Sequence, residues 1–218
     1  NFSVDSAGNI SLVNALDYET ATSYTLALNA SDGVNTTSSE LIITVDDVNE
    51  APSLSNSLAA SSFAENVSTG TTIATASASD PESQTITYSL SGTGSGNFAV
   101  DSAGNITLAA GLDYETATSY SLTLSASDGV NTTNNSLTIT IDDVNEAPSL
   151  SNTLAASSFA ENVATGTTIA SASASDPESQ AITYSLSGTG SDKFAVDSAG
   201  NITLSSALDY ETTTSYSL

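Results

Sequence analysis

The sequence predicts an all-β chain built from tandem copies of one small domain, and three observations lead to this prediction. The chain repeats itself, since residues 51–122 and 147–218 differ at only ten of 72 positions. The period is 96 residues, the spacing of Phe2, Phe98 and Phe194, which is the size of a small domain. Short apolar–polar alternations typical of strands recur between turn-forming residues, and small polar residues unfavourable to helices are abundant.

The period divides the chain into one complete copy and two partial ones. Residues 51–146 form the complete repeat, residues 1–50 the C-terminal part of a preceding repeat, and residues 147–218 the N-terminal part of the next. We therefore expect the 218 residues to be a window on a longer array of domains joined end to end.

Within the complete repeat, alternating segments predict about seven short strands. They cover residues 63–67, 72–78, 86–90, 98–100, 106–108, 120–126 and 137–141. Glycine-containing turns separate several of them, at residues 95–97, 103–105 and 128–129. Seven short strands in about 100 residues indicate an immunoglobulin-like Greek-key β-sandwich.

The charge of the chain is strongly acidic, with 25 Asp and Glu residues against the single base Lys193. The formal net charge of −24 argues against binding to nucleic acid or to anionic lipid, because no basic patch exists to neutralise phosphate. No apolar run approaches the roughly 20 residues needed to span a membrane, so no membrane insertion is predicted in this segment. The absence of Cys and His removes disulfides, thiolate metal sites and most nucleophile–base pairs.

The acids of the complete repeat concentrate at the ends of the predicted strands, which lie at the poles of a sandwich. The most distinctive group is the hinge Asp-Asp-Val-Asn-Glu-Ala-Pro, at residues 46–52 and again at 142–148. Two like charges about 4 Å apart repel by roughly 1 kcal/mol in water and about 4 kcal/mol at an effective dielectric near 20. Hard divalent cations relieve this repulsion, and all-oxygen ligands favour calcium over zinc, copper or the more strongly hydrated magnesium.

The motifs resemble those of a cadherin repeat, and more narrowly the cadherin-like repeats of large bacterial surface proteins. The matching motifs are Glu65-Asn66, Asp80-Pro81-Glu82, Leu112-Asp113-Tyr114-Glu115, Ala126-Ser127-Asp128 and Asp143-Val144-Asn145-Glu146-Ala147-Pro148. The hinge is one residue shorter than the family linker and carries Glu in place of its second Asp. Glu82 and Glu178 likewise replace Asp, so we expect between one and three ions at each joint.

The resemblance implies calcium ligands at two joints between repeats. At the first joint they are Asp17, Glu19, Asp47, Asn49, Glu50, Asp80, Glu82 and Asp128. At the second joint they are Glu65, Asp113, Glu115, Asp143, Asn145, Glu146, Asp176 and Glu178.

The acids have two other interpretations. A solvated, solubilising surface would scatter them along strands instead of gathering them at two poles. A pair of catalytic carboxylates, as in glycosidases, is opposed because every candidate pair recurs once per repeat. We therefore expect no enzyme.

The resemblance implies an extracellular segment of a cell-surface adhesin, a spacer that calcium stiffens. The alternative function is a self-associating module that forms homophilic contacts, fibres or extracellular matrix. The expected partners are calcium ions, neighbouring repeats of the same chain, and homotypic repeats or surface ligands.

Overall fold

The computed structural model describes residues 1–218, which divide into two compact units, Asn1–Asp142 and Asp143–Leu218. The strands of the first unit are β1 (Phe2–Val4), β2 (Ile10–Leu12), β3 (Ser23–Ser31), β4 (Thr36–Thr44), β5 (Ser53–Leu58), β6 (Phe63–Ala64), β7 (Thr72–Ser79), β8 (Thr87–Ser91), β9 (Phe98–Val100), β10 (Asn105–Leu108), β11 (Ser119–Ser127) and β12 (Thr132–Asp142). Those of the second unit are β13 (Ser149–Leu154), β14 (Thr168–Ser175), β15 (Phe194–Val196) and β16 (Asn201–Leu204). Two short 3-10 helices, Ser95–Asn97 and Ser191–Lys193, precede β9 and β15.

Strands β5 to β12 form a complete two-layer sandwich. One sheet has the order β5-β7-β10-β9 and the other has the order β6-β12-β11-β8. All neighbours are antiparallel except β6 and β12, which run parallel. Together with the solved structures reported below, this architecture confirms the predicted immunoglobulin-like fold.

The core of the sandwich follows from the alternation of apolar residues along its strands. On β11 and β12 the side chains of Leu122, Leu124 and Ile139 point inwards, where they meet Ile73 and Ile106 from the opposite sheet. Burying each such side chain contributes about 1.5–3 kcal/mol relative to leaving it in water. The two sheets are therefore held together mainly by these aliphatic residues, with their strand ends free to carry polar groups.

The strands differ from the sequence-based expectation at the start of the repeat. Strand β5 was not predicted, because its sequence Ser-Leu-Ser-Asn-Ser-Leu has little apolar character. Its backbone pairs with β7 from Ser53–Ser79 to Leu58–Ala74. The predicted strand over 63–67 is shortened to β6, since the amide of Val67 turns back to the carbonyl of Ala64.

Strand β5 is also fastened to the opposite sheet by side chains of β12. Thr133 donates a hydrogen bond of 2.6 Å to the carbonyl of Pro52, and Asn135 donates one of 2.8 Å to that of Leu54. Just before β12, the side-chain Nδ2 of Asn131 donates one of 3.0 Å to the carbonyl of Asn49. These alternate residues form a side-chain ladder, which satisfies backbone acceptors that an edge strand otherwise leaves open.

The partial repeats keep the local structure of the complete one. Residues 1–50 form the hairpins β1–β2 and β3–β4, and the second unit forms a sheet of order β13-β14-β16-β15. An edge-to-face pair of aromatic rings recurs in all three repeats with ring centroids 5.3–5.4 Å apart: Phe2–Tyr24, Phe98–Tyr120 and Phe194–Tyr216.

Candidate metal centre

Three carboxylates meet at the first joint, and each comes from a different stretch of the chain. Oxygens of Glu19, in the turn before β3, of Glu50, in the hinge, and of Glu82, in the turn after β7, all lie within 4.8 Å of one another. Both carboxylate oxygens of Glu82 and the Oδ2 atom of Asp80 are buried and accept no hydrogen bond. The adjacent Glu50 carboxyl group, and then burial, raise the pKa of Glu82. The cluster thus holds negative charge that the protein does not neutralise.

The turn after β7 directs the Glu82 side chain into this cluster. Asp80 closes the turn, since its carbonyl accepts from the Ser83 amide at 3.1 Å and its Oδ1 accepts from the Gln84 amide at 2.9 Å. Ser83 has a φ of 61°, in the left-handed region that costs a residue other than glycine roughly 1–2 kcal/mol. Ser179 adopts the same φ one repeat later, so this turn is a recurring feature.

Asn49 joins the hinge to the sandwich that follows it. Its Nδ2 donates to Asp128 Oδ2 at 2.8 Å, and its Oδ1 accepts from Gln84 Nε2. Burial raises the pKa of Asp128, but hydrogen bonds from the Val130 amide, the Asn49 side chain and the Asn131 amide outweigh burial and lower it. The amide group of Asn49 is therefore engaged with protein atoms at both ends, and a role as a direct ligand would compete with these bonds.

The other two residues predicted for the first joint lie outside the three-carboxylate cluster. Asp17 accepts hydrogen bonds of 3.0 Å from the amide and the hydroxyl of Thr20, which lower its pKa. Asp47 is exposed on the hinge.

Residues predicted for the second joint belong to both compact units, and each unit orders its own members. In the first unit Glu65 is 5% exposed, and its Oε2 accepts from the Tyr114 amide at 2.6 Å. A carboxylate oxygen of Glu65 lies within 4.8 Å of one of Glu115. Asp113 accepts from the Thr116 amide at 2.8 Å and so caps its own turn.

The second unit repeats the arrangement of the first hinge. Asn145 Oδ1 accepts from Gln180 Nε2, as Asn49 does from Gln84. The Glu146 amide donates to Glu178 Oε1 at 3.0 Å, and Asp176 accepts from the Gln180 amide at 2.9 Å. Asp143 is exposed.

Sequence-based reasoning missed several residues of these sites. The clearest is a third group, Glu161, Asp209 and Glu211, whose carboxylate oxygens lie within 4.8 Å of one another. Its members are one 96-residue period beyond Glu65, Asp113 and Glu115, so the repeat itself was a sufficient signal. Gln84 and Gln180 were also missed, since nothing in their local sequence indicates a contact with a hinge 35 residues away.

The chemistry of the first joint fits calcium. Every charged group of the cluster is a carboxylate, and buried oxygens without hydrogen bonds are available to a cation that takes six to eight oxygen ligands.

The structure contains no helix with the length and apolar character needed to span a membrane. Tandem immunoglobulin-like sandwiches with acidic clusters at their poles define a class of extracellular adhesion repeats.

Comparison with known proteins identifies the family within this class. The model of the cadherin domain matches residues 60–142 and 156–218, and the chain belongs to the cadherin family. Cadherin domains bind calcium as a family property, lie outside the cell and serve adhesion, not catalysis. These findings confirm three predictions made from the sequence: the resemblance to cadherin repeats, the extracellular localisation and the absence of enzymatic function.

The relatives are animal proteins. The chain is 31% identical over 191 residues to human protocadherin Fat 4, covering 81% of this chain and 4% of that protein. It is 34% identical over 232 residues to the Drosophila melanogaster protocadherin-like wing polarity protein stan, covering 96% of this chain and 6% of that protein. The chain thus spans a small fraction of the curated relatives it matches. The narrower likeness to bacterial surface repeats finds no support among these relatives.

Solved structures give the same family. Extracellular cadherin domains 3–6 of protocadherin gamma B2 align over 97% of this chain and 55% of that one, with a TM-score of 0.56 and 25% identity. The extracellular domain of protocadherin gammaB4 aligns over 97% of this chain and 37% of that one, with a TM-score of 0.52 and 28% identity.

Proposed function

We propose that this chain is a calcium-rigidified extracellular segment that acts as a stalk or spacer in cell-surface adhesion. The observation that carries the proposal is the cluster of Glu19, Glu50 and Glu82, with buried Glu82 oxygens that accept no hydrogen bond. Because these three residues come from separate segments of the first unit, an ion held between them ties those segments together.

Calcium at this joint would be held by Glu19, Glu50 and Glu82, with Asp80 contributing its buried Oδ2. When bound, the ion supplies two positive charges that offset the repulsion between carboxylates. The protein supplies the rest of the joint through Asn49, which binds both the turn after β7 and Asp128. Asp17 and Asp47 remain proposed ligands on the strength of the family resemblance.

A second ligand set is proposed from the 96-residue repeat. Its members are Glu65, Asp113, Glu115, Asp143, Asn145, Glu146, Asp176 and Glu178. Two within-unit features support it: the Glu65–Glu115 approach in the first unit and the Glu146–Glu178 contact in the second. We likewise propose the domain boundaries 1–50, 51–146 and 147–218 from the sequence period.

The test is titration of the metal-free chain with calcium, followed by calorimetry, thermal unfolding and small-angle X-ray scattering. The expected results are saturable binding, a higher melting temperature and a larger, better-defined maximum dimension. Magnesium at the same concentration is the control and should have a smaller effect. Absence of heat, of a melting shift and of any change in scattering would contradict the proposal.

The bacterial origin suggested by the motifs remains a hypothesis based on sequence alone. Self-association is the second candidate function.

A further inference from the structure

The complete repeat contains four Asn-x-Ser/Thr sequons, the acceptor sequence for N-linked oligosaccharides in secreted proteins. They begin at Asn66, Asn105, Asn131 and Asn134. Cadherin domains lie outside the cell, and the relatives of this chain are animal proteins, in which such sequences meet the glycosylating enzymes during secretion. Asn66 directly follows Glu65, a proposed calcium ligand, so a bulky group there would crowd that site. The structure distinguishes the other three by the surroundings of each side chain.

Two of these asparagines use their side-chain amide within the fold. Asn105 Nδ2 donates to Asp101 Oδ2 at 2.8 Å, and Asn131 Nδ2 donates to the carbonyl of Asn49 at 3.0 Å. Both asparagine side chains are half-buried. An N-linked oligosaccharide replaces one hydrogen of Nδ2 with a bulky sugar, which would have to displace these neighbours. These two sequons are therefore poor acceptor sites in the folded repeat.

Asn134 differs from them because β12 directs its side chain away from the interior of the sandwich. Its neighbours Thr133 and Asn135 point towards β5, where they bind the carbonyls of Pro52 and Leu54. Successive side chains of a strand point to opposite faces of the sheet, so Asn134 lies on the outer face. It is exposed there, and its side chain forms no hydrogen bond with the protein. Its Nδ2 is therefore available for modification.

The surface around Asn134 has room for a sugar. Its partner across the sheet on β11 is Ser125, and its neighbours on the same face of β12 are Thr132 and Ser136. Along β11, and along β12 as far as Thr140, every outward residue apart from Asn134 is serine or threonine. These short side chains leave a low surface without charge, and their hydroxyls can donate hydrogen bonds to sugar oxygens and accept them from sugar hydroxyls.

The preceding repeat has a sequon asparagine at the same point of its own sheet. In the complete repeat, Ser125 on β11 pairs with Asn134 on β12. One period earlier, Asn29 on β3 pairs with Ser38 on β4. The two residue types have exchanged strands and the sequon has moved with them, since Asn29 begins Asn-Ala-Ser and Asn134 begins Asn-Asn-Ser. Asn29 accepts from the Ser38 hydroxyl through Oδ1 at 2.5 Å, which leaves its Nδ2 available. This recurrence distinguishes the position from sequons that a sequence rich in serine and threonine contains by chance.

We propose that Asn134 carries an N-linked oligosaccharide on the outer face of β11 and β12, and that Asn29 carries the equivalent one in the preceding repeat. The donor is a lipid-linked oligosaccharide diphosphate. Nδ2 forms a bond to C1 of the first sugar and loses one proton, while the bond from C1 to the diphosphate oxygen breaks and the lipid diphosphate leaves. The solvated sugar keeps other molecules from stacking on a face that has no charge to repel them. No metal ligand takes part, so the proposal is independent of calcium binding.

The experiment is secretion of the 218-residue chain from cultured animal cells, followed by peptide mapping. Release of the sugars with peptide-N-glycosidase F in water labelled with heavy oxygen converts each occupied asparagine to a labelled aspartate. Fragmentation of the peptide in a mass spectrometer then locates the label. We expect the label on Asn134 in most molecules and on Asn131 in few. An unlabelled Asn134 overturns the proposal, and so does a label that falls on Asn131 in its place.

Two matched serine variants test the sequon. Ser136→Ala removes the third sequon residue and leaves the Asn134 side chain, whereas Ser125→Ala removes the hydroxyl of the residue paired with Asn134 and leaves the sequon. Both side chains point outwards, and the Ser136 carbonyl, which accepts from Asn56 Nδ2, is kept. Ser136→Ala is expected to lose the label at Asn134 completely, and Ser125→Ala to retain it. Equal labelling of the two variants overturns the assignment.

Two further variants separate recognition of the sequon from effects on folding. Ser136→Thr keeps a hydroxyl at the third sequon residue and is expected to keep the label at Asn134; loss of the label in this variant contradicts the proposal. Asn29→Gln should lose the Asn29 label and keep the one at Asn134, and an unlabelled Asn29 in the wild type overturns the equivalence of the two repeats. Circular dichroism and the melting temperature, measured on sugar-free protein produced in bacteria, verify that all variants fold.

Discussion

Replacing Glu82 by glutamine is the most direct test of the first metal centre. Glu82 lies within 4.8 Å of Glu19 and Glu50, and both its oxygens are buried without hydrogen bonds. The substitution keeps the shape of the side chain but removes one of three negative charges. We expect calcium to bind this variant at least about tenfold more weakly, and the metal-free variant to be no less stable than the wild type.

The size of the effect follows from ligand linkage. At a calcium concentration about 100 times Kd, one bound ion stabilises the folded protein by about 2.7 kcal/mol. For a repeat of this size such a gain raises the melting temperature by about 10–20 °C, at roughly 4–8 °C per kcal/mol. A tenfold loss of affinity at the same calcium concentration removes about half of that increase.

Differential scanning calorimetry with and without calcium measures this difference. Glu40→Gln is the matched control, since Glu40 is an exposed acid on β4 outside the carboxylate clusters. The control should keep the full calcium-dependent increase. If Glu82→Gln keeps it as well, Glu82 is not a ligand, and the cluster does not bind calcium in the way proposed.

Three further predictions concern the complete repeat. Leu124→Ala should lower the free energy of unfolding by about 2–5 kcal/mol, measured by urea denaturation, because Leu124 is fully buried. Gly94→Ala should lower the free energy of unfolding by at least about 1–2 kcal/mol, because Gly94 has a φ of +77° and an added Cβ would lie 2.5 Å from the Tyr120 ring. Gly96→Ala is the control and should be nearly neutral, since an added Cβ there meets nothing within 4 Å. Hydrogen bonds from Asn105, first from its side chain, hold the pKa of Asp101 below its usual 3.8. The charged form therefore stabilises the fold above about pH 3.8, and this contribution is lost as the pH falls further, so Asp101→Asn should flatten the acid side of the melting-temperature profile.

The elements that could be predicted are those whose signal is local. Strands β11 and β12 alternate apolar and polar residues over many positions, so both their existence and their buried face follow from the sequence. Strand β5 could not be predicted this way, because bonds to distant residues hold it in place. Thr133 and Asn135, about 80 residues away, bind its backbone carbonyls or those just before it.

The candidate metal site likewise has features that the sequence predicts and features that depend on contacts between distant residues. The grouping of the acids followed from recurring motifs, and the structure brings Glu19, Glu50 and Glu82 together. The engagement of Asn49 with Gln84 was beyond the sequence, since it depends on the left-handed turn at Ser83 that no local residue type requires. Glycine is the usual residue in such a turn, and its absence concealed the turn.

The side-chain ladder from β12 has a mechanical consequence. Three side chains, those of Asn131, Thr133 and Asn135, donate hydrogen bonds to backbone carbonyls of residues 49–54. The accepting carbonyls are two or three residues apart along this segment. A pulling force transmitted along the polypeptide to residues 49–54 is therefore distributed over several hydrogen bonds that act in parallel. Stretching should therefore first extend the hinge upstream of Asn49, where neighbouring acidic residues repel one another and only a bound cation would hold them together.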